Sequence, residues 1–321
     1  MDRHCYFLGI NVFAILQNNK FPITLTFFRA DKKFYACAAF RERKDCDFYQ
    51  SYGDEMNQKK IARIKETYRD FLSRNNFSES FRIIHDFTKS TDYSTVDFCQ
   101  TCSRVKKDSC ENHHSIQTLS KDSLKYPVSL LSQKSQDKKE AQYFFSEATT
   151  KFLLSTIQRL NFTDVLCIGC PSIFEKIEGV KSSGIRSLLV DIDARFGNFY
   201  NNKKFLWCNY FNGHFFNGEA DRESFRNFLI ESERILLLID PPFGAKTELI
   251  SHSLDRTLNM LDMFNMKASA SVIWIFPYFM ERQVLGVRGN MRMSDYRVTY
   301  RDHKQYGETG VAGLRLGSPV R

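Results

Sequence analysis

The stretch Ile235-Leu236-Leu237-Leu238-Ile239-Asp240-Pro241-Pro242-Phe243 decides the reading of this chain. An unbroken apolar run stopped at once by two prolines reads as a strand buried on both faces that ends abruptly. In open α/β sheets, ligands lie just outside the carboxyl ends of the strands. An acid, two rigid prolines and an aromatic ring at that point suit a flat, amine-bearing ring. Asp240 and the main-chain carbonyl next to it can accept hydrogen bonds from the amine. Pro241 and Pro242 fix the turn and bring no competing N–H. Phe243 offers a stacking face.

An exocyclic amine such as adenine N6 is a poor nucleophile, because its lone pair is delocalised into the ring. Two acceptors on its N–H groups hold it in line with an electrophilic methyl and stabilise the charge that develops on attack. Two earlier runs support this chemistry. Val165-Leu-Cys-Ile-Gly169 is a short apolar strand ending in glycine, and Ser187-Leu-Leu-Val190 leads into Asp191-Ile192-Asp193. A glycine there permits close backbone approach, and an acid ending the second strand can hold ribose hydroxyls. Gly169, Asp193 and Asp240, at three successive strand ends, point to a methyltransferase that uses S-adenosylmethionine (SAM).

The rest of the sequence bounds the setting. With 321 residues, 42% hydrophobic and 26% charged, the chain has room for two domains and a sizeable core. No apolar run approaches the roughly 20 residues that span a bilayer, so no membrane partner is expected. Leu8–Leu16 is apolar but short, and no secretion signal is read from it. A net charge of +9 favours a polyanionic partner such as nucleic acid. Among 30 Phe and 14 Tyr, most Phe belong to the core, and some rings are available to stack on unpaired bases.

Alternation of strand and helix patterns from about residue 141 onward predicts a βαβ sheet. The expected strands are 164–168, 186–190, 205–209, 234–239, 271–276 and 295–300, and the expected helices include 145–160, 222–230 and 246–264. Residues 57–76 predict a basic amphipathic helix, placed over a small N-terminal domain. Three segments result: 1–85 with this helix, 86–140 with a Cys/His cluster and a polar linker, and 141–321 as the catalytic domain.

Without a secretion signal, metal binding explains clustered cysteines better than disulfides do. Cys99-x2-Cys102 and Cys110-x2-His113 are two pairs with knuckle spacing, together enough for a tetrahedral Zn²⁺ site, with His114 as an alternative fourth ligand. Cys37 and Cys46 form a weaker pair that needs two more ligands, for which His4 and Cys5 are the nearby candidates. Cys167, Cys170 and Cys208 fall in or beside strands and read as buried small hydrophobes.

Further segments carry a family resemblance. Lys33–Gln50 resembles the core of a GRF-type zinc finger, and Asp97-Phe-Cys-Gln-Thr-Cys102 resembles the start of the finger that follows it. Ala141-Gln-Tyr-Phe-Phe145, Leu188–Asp193, Asn209–Phe216, Asp240–Gly244 and Trp274–Phe279 match the same family in order. It is the zinc-finger CCHC-domain rRNA N6-adenosine methyltransferase family. The resemblance implies a class I, Rossmann-like SAM-dependent methyltransferase, preceded by small zinc modules and acting on large-subunit ribosomal RNA in the nucleus or nucleolus, with the cytoplasm as a further location. It implies that Gln142 and Tyr143 close over SAM, that Gly169 lies under its methionine part, and that Asp193, or Asp191 instead, holds the ribose. Asn209 would sit near the SAM adenine, and Asp240–Phe243, with Asp240 at the cofactor as well, would hold the target adenine. The chain departs from the family in three places. Residues 17–22 lack the early Cys/His pair of the GRF pattern, and Cys110 stands where the family usually has His. Ser318–Arg321 falls where a final strand begins in the family, with a knuckle region beyond, so an incomplete last strand is expected. The rival readings are a protein-lysine methyltransferase, in which an amine uses the same acceptors, and a non-catalytic RNA-binding protein.

Overall fold

A computed structural model describes residues 26–29, 32–36, 49–51, 58–91, 95–106, 110, 115–133, 142–180, 184–303, 306–307 and 314–319. Strands β1 (Thr26–Arg29), β2 (Lys32–Ala36) and β3 (Tyr49–Ser51) form an antiparallel sheet in that order. Cys37 and Cys46, with His4 and Cys5, lie outside the described residues. Helices α1 (Gln58–Arg74) and α2 (Ser78–Lys89) follow. A second small antiparallel sheet has the order β5-β4-β6, from β4 (Thr95–Cys99), β5 (Arg104–Val105) and β6 (Ile116–Ser120). The one-turn helix α3 (Pro127–Leu130) closes this region.

The remaining elements build one large sheet with helices on its faces. In chain order they are α4 (Glu147–Arg159), β7 (Asp164–Ile168), α5 (Pro171–Gly179), β8 (Arg186–Asp191), β9 (Phe205–Asn209), β10 (His214–Phe215) and α6 (Glu219–Ile230). Then come β11 (Arg234–Ile239), α7 (Thr247–Phe264), β12 (Ser269–Pro277), α8 (Glu281–Val287), β13 (Met291–Met293) and β14 (Leu314–Pro319). Their order across the sheet is β10-β9-β8-β7-β11-β12-β14-β13. The strands from β9 to β12 run parallel, and β10, β14 and β13 pair antiparallel with their neighbours.

Burial explains why β11 is apolar throughout. Leu236 and Leu238 face one core layer with Val165, Cys167 and Ile275, while Ile235, Leu237 and Ile239 face the other with Leu166, Ile168 and Trp274. A strand covered on both sides has no face for a polar residue. Cys167, Cys170 and Cys208 are buried in these layers, as expected. The chain runs from β7 outward through β8 and β9, then returns to place β11 on the other side of β7. The switch point, where ligands bind in such sheets, therefore lies between the ends of β7 and β11.

Two findings differ from the sequence reading. Residues 295–300 do not form a strand; they make only the isolated bridge Phe145↔Tyr300. Their alternation is real, since Val298 and Tyr300 point into the core. The place beside β12 belongs instead to β14, which pairs with β12 on one side and β13 on the other. Ser318 and Pro319, at the start of the segment expected to begin a last strand, are the final residues of β14. Helix α1 also sends its apolar face further than expected. Phe71 lies 5.5 Å from Trp207 and 5.7 Å from Phe216, and the Tyr68 hydroxyl meets His214 Nε2 at 2.8 Å. Among the described residues, no helix is long and apolar enough to cross a membrane.

Candidate active site

The carboxyl ends of β7 and β11 are bound directly to each other. The Asp240 N–H donates to Ile168 O at 3.0 Å, and the Gly169 N–H donates to Val190 O at 3.0 Å. Gly169 has φ +66°, and a Cβ built there would stand 2.8 Å from the Asp240 carbonyl oxygen. Glycine is therefore required by the neighbouring strand end. The sequence assigned it an approach to a ligand; the close contact in the structure is with the acid-Pro-Pro turn itself. Gly169→Ala is expected to cost about 1–2 kcal/mol from the left-handed conformation alone, with the clash added. Denaturant unfolding of the variant measures this.

Asp240 is held by a residue that sequence reasoning missed. The Tyr300 hydroxyl donates to Asp240 Oδ1 at 2.6 Å. Burial pushes the Asp240 carboxyl up to about 8; the Tyr300 hydrogen bond opposes this, and the charge of Asp191 adds to it. Pro241 is buried, and Pro242 gives its carbonyl to the Ala245 N–H at 2.9 Å. Phe243 meets Tyr300 and Tyr306 edge-on, with centroids 6.0 and 5.4 Å apart. His303 continues the cluster, 4.1 Å from the Tyr143 ring and 4.8 Å from Tyr306. The Tyr143 segment and the acid-Pro-Pro-Phe turn therefore share one aromatic wall.

At the end of β8, Asp191 and Asp193 have different surroundings. Asp191 Oδ1 accepts the Asp193 N–H at 2.9 Å, which tightens the turn. Asp193 is 2% exposed and forms an ion pair with Arg195, itself 8% exposed. Arg195 Nε lies 2.9 and 3.0 Å from its two oxygens, and a terminal guanidinium nitrogen lies 2.7 Å from Oδ2. Gln142 completes the group, donating to Asp193 Oδ2 at 3.0 Å and accepting from Arg195 at 2.9 Å. Arg195 also holds Ser132 O at 3.0 Å. Gln142 and Asp193, both assigned to the cofactor from sequence, bond each other, and Arg195, which binds them both, was not expected. Its place two residues after Asp193 is the one local signal. Ile192, between the two acids, is 40% exposed at the lip of the sheet. Asn209 ends β9, and its carbonyl accepts the Gly213 N–H at 2.9 Å.

The cysteine cluster is also assembled. The sulfur atoms of Cys99, Cys102 and Cys110 lie within 4.8 Å of one another. Cys102 Sγ and Cys110 Sγ are 3.8 Å apart, and the Cys102 N–H donates to Cys99 Sγ at 3.4 Å. Tetrahedral Zn–S bonds of about 2.3 Å put neighbouring sulfurs about 3.8 Å apart, so this donor set fits a metal ion. His113 and His114 lie outside the described residues. The knuckle is tied to the large sheet. Asn198, just after the Asp193–Arg195 pair, donates to Ser103 O at 2.7 Å, and the Val105 N–H donates to Ser80 Oγ at 3.0 Å.

A largely parallel sheet of this order is that of a class I, Rossmann-like methyltransferase. Residues 136–307, more than half of the chain, match the family model described as "Probable N6-adenine methyltransferase", and the chain belongs to that family. Among curated proteins it is 35% identical over 304 residues to "rRNA N(6)-adenosine-methyltransferase ZCCHC4" of Xenopus tropicalis, covering 90% of this chain and 61% of that protein. The Homo sapiens protein of the same name is 34% identical over 309 residues, with 90% and 59% covered. The chain thus spans about three fifths of the length of these relatives.

Proposed function

We propose that this chain transfers the methyl group of SAM to N6 of an adenosine in large-subunit ribosomal RNA. The observation that carries the reading is the Asp240-Pro241-Pro242-Phe243 turn at the sheet's switch point, with its acid fixed by Tyr300. The named relatives are ribosomal RNA adenosine methyltransferases, and the net charge of +9 agrees with an RNA substrate. Nuclear or nucleolar residence belongs to the same reading.

Asp240 Oδ2 and the Pro241 carbonyl accept the two N6 hydrogens, and Phe243 stacks on the adenine. This points the N6 lone pair at the methyl donor and stabilises the charge arriving on nitrogen. SAM supplies the electrophilic methyl on its sulfonium. Asp240 Oδ2 then lies beside the proton that N6 must release. For the ribose hydroxyls the candidate is Asp193, which Arg195 and Gln142 hold in place, with Asp191 as the alternative. Gln142 and Tyr143 flank the cofactor, Asn209 takes its adenine edge, and Gly169 serves by admitting the Asp240 carbonyl. Cys99, Cys102 and Cys110 would hold Zn²⁺, with His113 as the fourth ligand that the spacing suggests, and the ion would brace the knuckle that carries the Ser103–Asn198 contact. Cys102→Ser is expected to remove one equivalent of zinc, read by metal analysis, and to lower the melting temperature.

The test that separates this reading from a lysine methyltransferase is methyl incorporation in lysate before and after RNase. RNase-sensitive label supports the RNA substrate. Label retained on protein after RNase contradicts it.

A further inference from the structure

We propose that Tyr300 is the positioning residue of the transfer site: its hydroxyl fixes Asp240 through Oδ1 and keeps that carboxylate ready to receive the N6 amine on Oδ2. The inference rests on the reading of Asp240 given above. Tyr300 lies 60 residues beyond Asp240 in sequence, yet its hydroxyl reaches Oδ1 at 2.6 Å. The bond fills one carboxylate oxygen and sets the rotamer of the other, as a preorganised site requires.

The main chain about Tyr300 is itself held from several sides. The Tyr300 N–H donates to Tyr306 O at 2.9 Å, and the Arg301 N–H donates to Phe144 O at 2.7 Å. The preceding Thr299 is clamped to the start of α4: its carbonyl accepts the Ser146 N–H at 3.0 Å, and its N–H donates to Thr149 Oγ1 at 2.9 Å. The Tyr300 ring is 2% exposed, with Phe145 at 5.2 Å, Phe243 at 6.0 Å and Tyr143 at 6.2 Å. Three of the residues that bind this loop, Phe144, Phe145 and Ser146, are continuous with Gln142 and Tyr143. One side chain thus connects the cofactor-side segment to the base-side carboxylate. A displacement of either is felt at the other.

The effect on acidity follows from the same contact. The Tyr300 hydrogen bond favours the ionised form of Asp240, against burial and the Asp191 charge. Among the described residues, the other titratable groups about the pair include Tyr143, Cys170, at the start of α5, and His303 and Tyr306, in the Tyr300 loop. Burial keeps the Cys170 thiol protonated and favours neutral His303. Removing the hydroxyl therefore moves Asp240 toward its protonated form, which has lost an acceptor.

The experiment is Tyr300→Phe in the full chain, which keeps the ring and its packing. Melting temperature and SAM affinity are measured first, as checks on fold and cofactor site: the melting temperature should fall by only a few degrees, for one lost buried hydrogen bond, and SAM affinity should stay at the wild-type value. kcat/KM for rRNA is then followed against pH. A hydrogen bond to a charged group is worth enough to move the rising limb about one pH unit higher. At pH 7 the variant should be about tenfold slower, and it should recover most of its rate at high pH. A second series in the Asp240→Asn background, which has no carboxyl to titrate, should show no such displacement. Equal loss at every pH, no loss, or the same displacement in the Asn background would each overturn the proposal. If Asp240→Ala keeps wild-type turnover, the site reading itself is wrong, and that result is distinct from any outcome at Tyr300.

Discussion

Asp240→Ala is expected to reduce methyl transfer by about 10²- to 10³-fold, the usual loss when a preorganised polar contact to the reacting group is removed. The variant should stay folded, and it should lose less stability than a core substitution or even gain some. Asp240 sits where the fold disfavours its charge, its carboxyl pushed up to about 8 from an ordinary 3.8. Between those values the folded chain keeps a proton that the unfolded chain releases, so the wild type loses stability as pH rises through that window. Alanine has no such proton. The melting temperature of the variant relative to wild type should therefore climb between about pH 4 and pH 8. An acid retained at a cost in stability is what a functional position looks like. Parallel melts across pH, with turnover at one pH, measure both halves.

The second large effect is expected at Arg195→Ala. Asp193 and Arg195 are both buried, and removing the arginine strips the carboxylate of the guanidinium paired with it. Breaking such a pair from one side costs about 3–5 kcal/mol. Gln142 and Ser132 lose a partner at the same time, so the cofactor-side segment should loosen and SAM affinity should fall. Adding Asp193→Asn to Arg195→Ala removes the stranded charge and should recover part of the stability. Denaturant unfolding reads the first effect, and calorimetry with SAM reads the second. If Asp193→Asn alone leaves SAM affinity intact, the ribose belongs to Asp191.

Much of this architecture was legible along the chain. The strands 164–168, 205–209 and 234–239 follow directly from apolar runs closed by Gly, Asn and Asp. Buried parallel strands need no partner-specific signal, only length and a stop. The cysteine spacing likewise brings Cys99, Cys102 and Cys110 together, and their sulfurs cluster in the fold. The parts that could not be read are those made by distant contacts. Residues 295–300 alternate like a strand, but alternation reports which side chains are buried and says nothing of which backbone they pair with. β14 takes the pairing position, and Tyr300 is left to face Asp240. Helix α1 shows its apolar stripe in sequence, whereas the surface it covers, Trp207 and Phe216, lies in a different domain of the sequence reading. Arg195 is hidden for another reason. A charged residue near an acid is ordinary, and only burial turns that pair into a fixed element.

The most direct test of the account is methyl transfer from labelled SAM to unmethylated large-subunit ribosomal RNA by the purified chain, with nucleoside analysis of the product and Asp240→Ala run beside it. The account predicts label in N6-methyladenosine for the wild type and almost none for the variant. Label in any other nucleoside, or equal N6-methyladenosine from both proteins, would contradict it.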